Sequence, residues 1–478
     1  MGSPEVSSSA SLIFLKILLF VCVIPLLGLC QPNFTLMTSG EASIKNLFIK
    51  PAGQGGNKPV MIIDASGNIL FSQNLGLKGW GWKVNLNNHL TYFDRESMSW
   101  FVVDSLFNPV DTVYAQNGYT ADNHDFLALP NGNYVLFCYD NQSFPMDDVV
   151  EGGNPNAIVE GLIIQELNPN HEVVFQWESW DHFNVTDNTY IDLTGEQIGF
   201  IHTNAIDIDY DGHFVISSRN LDEITKIHRT TGDIIWRWGG SQSQFEFINS
   251  YPFTHQHCIQ SLGDNKYLLF DNGNFSSNYT GKSNISRAVE YELDLKLMTA
   301  TKTWEFKHPD SLFCPSIGSV QRLENGNTLV NFGNLSFIER GAVITEVNSE
   351  NDIVFELELA PPSDQGSSNV YCANKFDWFF DQSIVGCNNL NACNYNNSTI
   401  NNDAFCVFPG DTCQLSDGSS GFYNDLCECV AINTEIVEQS DNKRLLHKFD
   451  IIGRLHLSKQ LQLEIYDDGS VVKKYVIQ

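Results

Sequence analysis

Three histidines stand at matching places along the chain. His124 lies in TADNHDFLALPNGN, His202 in FIHTNAIDIDYDG and His257 in FTHQHCIQSLGDN, preceding the turn glycines Gly132, Gly212 and Gly263 by 8, 10 and 6 residues. A neutral imidazole keeps one ring nitrogen with a free lone pair, so it can attack an electrophile, bind a metal or move a proton. A lone histidine is more often a satisfied core side chain, but the corresponding stretch CPSIGSVQRLENGN carries Ser316 and Ser319 and no histidine. The repeat therefore does not need imidazole for packing, and three histidines at homologous points argue for a site.

Fitting partners lie nearby. Asn204 follows His202 by two residues, so on a strand both project to the same face. Arg219 ends VISSRN, and a guanidinium offers a planar fork for an oxyanion such as sulfate or phosphate. Its bland reading is a rim salt bridge. By the same alternation His255 and His257 share a face, which leaves open which of them reacts. Asp125 and Asp271 could complete a metal set with the histidines and support lyase or hydrolase chemistry. A third reading is a surface-binding or adhesive domain in which the histidines are incidental.

The elements that must position these residues are short strands. From about residue 40 to 360, hairpins with Asn-Gly, Asp-Gly or Gly-Asp turns, such as LALPNGNYVLFCYD and IDIDYDGHFVISSRN, alternate with hairpins whose second strand ends in Trp or Phe, such as ITKIHRTTGDIIWRWGG. Four strands per repeat predict an all-β propeller of five or six blades. Stretches 150–160 and 179–200 read as insertions on one rim. In a propeller the inner strands start together at one face of a central channel, so histidines distant in sequence meet there.

The ordered set of motifs, namely His202 and Asn204 as HxN, Arg219, TTGDIIWRWGG, QHC, LLFDNGN and the earlier MIIDASGNILF, resembles the arylsulfotransferase family over roughly residues 40–360. The resemblance implies a six-bladed propeller. It implies that a histidine takes the sulfuryl group from a phenolic sulfate ester and hands it to an acceptor phenol, with no nucleotide sulfate donor. The nucleophile's position matches His257. His124, His202, Asn204 and Arg219 match positions that hold the sulfate oxygens, and His255 stands beside them as a substrate-binding candidate.

Composition sets limits. A net charge of −30, from 27 Lys plus Arg against 57 Asp plus Glu, would repel a phosphate backbone and argues against a nucleic-acid partner. Residues 1–30, with Lys16 before the apolar Ile17–Leu27 and small residues at Gly28 and Cys30, predict a signal peptide. No later run is long and apolar enough to suggest a membrane span. Residues 31–385 are expected to form the propeller.

Six of the 12 cysteines fall between Cys387 and Cys429, which predicts a disulfide-stapled module over 386–430, with fifteen possible pairings. Zinc is disfavoured because two CxxC pairs are missing. The stretch resembles a Cys-rich repeat of secreted Bacteroidetes proteins, and its oxygens could hold a structural Ca²⁺. No catalytic cofactor is expected. Cys138, Cys258, Cys314 and Cys372 read as single thiols or one long bridge. Residues 431–478, with Asp450–Arg454 and Tyr466–Ser470, resemble a type IX secretion sorting domain. That resemblance implies secretion machinery as a partner and a secreted or cell-surface location.

Overall fold

A computed structural model describes residues 33–52, 59–361, 368–415 and 418–431, and the backbone of the strands Leu445–Asp450, Gln462–Tyr466 and Val471–Lys474. The expected signal peptide and most of the sorting segment lie outside the described residues. The chain divides into two units, 1–411 and 412–478.

The first unit holds six sheets, each built on four antiparallel strands in meander order, and three of them carry a fifth strand. Their inner strands are Asn369–Phe376, Lys78–Val84, Ala121–Ala128, Thr203–Ile208, His257–Gly263 and Ser319–Arg322. Each of these inner strands contacts the next, and the sixth contacts the first, so they form a closed ring. We number the sheets as blades 1 to 6 in this order. The architecture is the expected all-β propeller, with six blades.

Strand alternation explains the packing. In blade 4, Phe214 and Ile216 point toward blade 3 and join Val135, Phe137 and Ile164, whereas Val215 points toward blade 5 and joins Tyr267, Leu269 and Val289. A strand covered on both faces reads as continuously apolar, and Phe214–Ser218 is buried throughout. Six hydrophobic clusters fill the six blade-to-blade interfaces in this way.

The ring is fastened twice. Blade 1 takes its inner strand, Asn369–Phe376, from the far end of the domain, where it pairs with Asn46–Ala52. Phe34–Thr38 joins the outer edge of blade 6 at Ile353–Leu359. Between these fasteners lies a buried ion pair: Lys375 Nζ is 2.7 Å from Glu346 Oε2, with both side chains 0% exposed. Glu346 Oε1 also accepts from the Ser43 amide and from Asn327 Nδ2. One carboxylate thus ties the start of the domain, a turn of blade 6 and the closing strand.

One sequence expectation needs correction. The stretch 150–160 is only partly an insertion, because Ala157–Leu167 is the third strand of blade 3. The hairpin in MIIDASGNILF forms the two outer strands of blade 1, and the closing strand takes the inner edge. Blade 2, residues 78–113, carried no recognised motif. Its inner turn places Asn88 at φ of 62°, where the inner hairpins of blades 3 to 6 use Gly132, Gly212, Gly263 and Gly326.

Meander order puts the loops between strands 2 and 3, and those leading into each inner strand, on one face. The opposite face has short turns. The face where the inner strands begin therefore carries the long segments 179–202, 240–256 and 272–286.

Cys387–Cys406 belongs to the first unit. Its neighbour Asn402 docks on blade 1 by accepting from the Ser72 amide and donating to the Leu70 carbonyl. In the second unit Cys413–Cys429 staples a three-stranded sheet. All six cysteines from Cys387 to Cys429 are disulfide-bonded, whereas Cys138, Cys258, Cys314 and Cys372 are free thiols. Among the described residues no helix is long and apolar enough to cross a membrane.

Candidate active site

The inner strands deliver the histidines to the long-loop mouth of the channel. His257 opens the inner strand of blade 5, His202 immediately precedes that of blade 4, and His124 lies in that of blade 3. The His124 and His202 rings meet edge to face at 4.8 Å. Tyr371, on the closing strand, lies 5.8 Å from the His124 ring and 6.3 Å from that of His257.

His257 is 4% exposed, and its Nδ1 is 2.8 Å from Asn272 Oδ1. The Asn272 amide cannot be turned round, because its Nδ2 donates to the carbonyls of Cys314 at 2.7 Å and Ile317 at 2.8 Å. Its oxygen must therefore accept, and His257 Nδ1 must carry the hydrogen. The tautomer follows: Nε2 holds the free lone pair. Burial drives the His257 pKa well below its ordinary value; the bond to Asn272 opposes this, and Arg219, His202 and His124 reinforce it. The ring is neutral, oriented and basic at one nitrogen.

His202 is half-buried, and burial, with His124 and Arg219 adding to it, lowers its pKa to about 3. His124 Nδ1 sits 2.5 Å from Asp122 Oδ1. Burial would raise the Asp122 carboxyl, but His124 and backbone donors outweigh it and hold it below the usual range.

Arg219 begins a short turn, Arg219–Leu221, tied to His202 by a hydrogen bond from the Arg219 amide to the His202 carbonyl. Its guanidinium donates to Asn220 Oδ1 at 3.0 Å and to the Pro315 carbonyl at 3.4 Å. Among the seven described arginines, Arg229, Arg237, Arg287, Arg322 and Arg340 have carboxylate partners; Arg219 and Arg95 have none. A half-buried guanidinium without a carboxylate, in so acidic a chain, is poised for an external oxyanion. The rim salt bridge considered for it is not present.

Two glycines hold this turn in place. A Cβ on Gly239 would come within 2.4 Å of the Asp222 carbonyl oxygen, and one on Gly240 within 2.2 Å of that of Leu221. The Gly-Gly of TTGDIIWRWGG is therefore a steric requirement for seating Arg219. Around the same mouth His202, Asp222, His255 and Cys258 all take left-handed backbone at φ of 42°, 52°, 56° and 58°. Such conformations cost about 1–3 kcal/mol each and gather where geometry matters more than stability.

The structure thus brings His124, His202, Arg219 and His257 together. Asn204 is beside them but commits its Nδ2 to the Gln256 carbonyl at 2.8 Å, leaving its buried Oδ1 without a protein partner. His255 turns aside: its Nδ1 is 2.8 Å from Asp222 Oδ1. Both carboxylates of the metal reading are held by cations, Asp125 by Lys83 at 2.6 Å and Asp271 by Arg287 at 2.7 Å. Among the described residues no cluster of three or more His, Cys, Asp or Glu is arranged to hold a metal. Sequence reasoning missed Asn272, Asp122, Asp222 and Tyr371. Asn272 sat in the quoted LLFDNGN, but nothing local marks its amide as the orienter of His257.

Residues 33–371 match the family described as Arylsulfotransferase (ASST). The chain belongs to the arylsulfotransferase family. Its propeller is that family's domain, and membership gives it an arylsulfotransferase-like function in general terms. No curated protein matches this arylsulfotransferase-family chain. Among solved structures it is similar to a Bacteroides caccae protein of unknown function, at 14% identity and TM-score 0.43, covering 69% of this chain and 98% of that one. It is also similar to a streptogramin B lyase, at 10% identity and TM-score 0.35, covering 83% and 96%. A third is the Pseudomonas aeruginosa periplasmic gluconolactonase PpgL, at 9% identity and TM-score 0.36, covering 70% and 100%.

Proposed function

We propose that this protein moves a sulfuryl group from a phenolic sulfate ester to an acceptor phenol through a sulfated His257. The observation that carries this reading is the fixed tautomer of His257: Asn272 holds Nδ1–H and leaves Nε2 as a neutral nucleophile. Attack of Nε2 on sulfur expels the phenolate and splits one hard transfer into two easier ones. Charge on the sulfuryl oxygens faces Arg219, His124 and His202, and preorganised donors stabilise it most where it develops. His202, lowered to about 3, is neutral at working pH and can donate only from a neutral ring.

The test is to incubate the full chain with 4-nitrophenyl sulfate without acceptor, quench it, and map the mass of one added sulfuryl group. Its presence on the peptide containing His257, and its loss on adding phenol, is the expected result. A protein that releases nitrophenolate while His257 stays unmodified would overturn the covalent route.

Two further outcomes are expected. Arg219→Gln should lower kcat for transfer by roughly 10²–10³-fold, the usual effect of removing one donor to a developing oxyanion. Sulfation of His257 by 4-nitrophenyl sulfate should keep its rate as the pH falls through about 6.5, because burial lowers this histidine below its ordinary value of about 6.5. A rate that falls through about pH 6.5 would mean that His257 titrates normally.

The same reading places the protein outside the cytoplasm. The stapled cysteines fit an oxidising compartment. A signal peptide at residues 1–30 and a type IX sorting segment at 431–478 would supply the route. The test is secretion with and without the last 48 residues.

A further inference from the structure

Beside the sulfuryl site, and not used by it, is an aromatic corner with its own proton carrier. Tyr190, from the long segment 179–202, stacks on Phe275 with ring centroids 4.4 Å apart and planes 12° off parallel. Tyr190 is nevertheless 41% exposed, so one side of it is open to a ligand. The His255 ring stands edge-on to both, 5.9 Å from Tyr190 and 4.9 Å from Phe275.

The corner is built rather than incidental. Buried Asn188 donates to the carbonyls of Phe200 and Asn220 and accepts from the amides of Tyr190 and Ile191. Every hydrogen-bonding group of that side chain is used to set Tyr190 against the turn that carries Arg219. Phe275 is set from the other side, since its amide donates to Thr254 Oγ1. The next link is Asn274, whose Nδ2 donates to the Pro315 carbonyl that also accepts from Arg219. The aromatic corner and the unpaired guanidinium therefore share one wall.

His255 has its orientation fixed as well. Asp222 Oδ1 accepts both the His255 amide, at 2.6 Å, and Nδ1–H, at 2.8 Å. A carboxylate on Nδ1 assigns Nε2 as the nitrogen that gains and loses the working proton.

Resting on the sulfuryl-transfer reading, we propose that Tyr190 and Phe275 bind the aryl ring of donor and acceptor in turn, and that His255 moves the phenolic proton. In the first half-reaction the S–O bond to the aryl group breaks as His257 Nε2 bonds to sulfur. The leaving oxygen takes the proton from His255 Nε2–H. In the second, the acceptor hydroxyl gives its proton to His255 Nε2 as its oxygen bonds to sulfur, and the S–N electron pair returns to His257. The sum is one aryl sulfate and one phenol exchanged for another pair, with no other reactant.

Leaving-group dependence tests this. 4-Nitrophenolate departs as a stable anion and needs no proton, whereas phenolate does. In the full chain, His255→Gln should slow sulfation of His257 by phenyl sulfate roughly 10²–10³-fold, within the range of general acid catalysis. With 4-nitrophenyl sulfate the same variant should stay within about 10-fold of wild type. Tyr190→Ala should raise KM for aryl substrates by about 2–12-fold with little change in kcat, the share expected of one aromatic contact, and Tyr190→Phe should restore it. Equal losses with both donors, or no loss with phenyl sulfate, would overturn the role of His255 while sulfated His257 still formed. Failure of the wild-type chain to form sulfated His257 would instead overturn the underlying transfer reading and this subsite with it.

Discussion

His257→Ala is expected to abolish transfer from 4-nitrophenyl sulfate to phenol, lowering kcat by roughly 10⁴–10⁶-fold, the range seen when a covalent nucleophile is removed. That corresponds to about 5–8 kcal/mol of activation free energy. The expectation rests on the place of His257, which opens the inner strand of blade 5 at the channel mouth, whereas the His255 ring turns to Asp222 and His202 packs edge to face on His124. Only His257 has its lone-pair nitrogen assigned by an amide that cannot flip. The variant should still fold, since the cost is one unsatisfied Asn272 oxygen, about 1–3 kcal/mol. Turnover by a folded His257→Ala chain within tenfold of wild type would sink the nucleophile assignment.

Breaking the ring's internal clasp should have the largest effect on stability. Glu346→Leu removes the partner of a fully buried Lys375 and the acceptor of both the Ser43 amide and Asn327. Leaving one member of a buried pair uncompensated costs about 3–5 kcal/mol. Burial pulls the Lys375 pKa down more strongly than Glu346 pulls it up, so desolvation outweighs attraction at this site. Glu346→Leu with Lys375→Met should accordingly recover most of the loss in urea unfolding. A single variant as stable as wild type, or a double variant as unstable as the single, would contradict this account.

Sequence alone carried the parts of this molecule that are local. The turn glycines at Gly132, Gly212, Gly263 and Gly326 mark blades 3 to 6 because their tight hairpin turns need left-handed backbone at that place and glycine supplies it cheaply. Blade 2 escaped because Asn88 fills that role. The closing strand Asn369–Phe376 escaped for a different reason. Its hydrogen-bonding partner is Asn46–Ala52, more than three hundred residues earlier, and period-two alternation says nothing about so distant a pairing.

The site divides in the same way. His124, His202 and His257 were legible because they repeat at matching offsets, and Arg219 because its type suits an oxyanion. Asn272 and Asp222 were not legible, because their importance lies in which histidine each side chain reaches in the folded domain. Alternation placed His255 and His257 on one face and left both as nucleophiles. The left-handed backbone at His255 breaks the alternation and sends that ring to Asp222 instead.

The double fastening of the ring also sets a timetable. Ribosomes release the three outer strands of blade 1 first and their inner strand last, so for most of synthesis the first blade waits with one edge bare. The late strand brings Tyr371 to the channel mouth, where its hydroxyl donates to the Asn204 carbonyl at 3.3 Å. The pocket wall therefore depends on the last strand of the propeller. A chain ending before Asn369 would have its histidines but no finished wall around them.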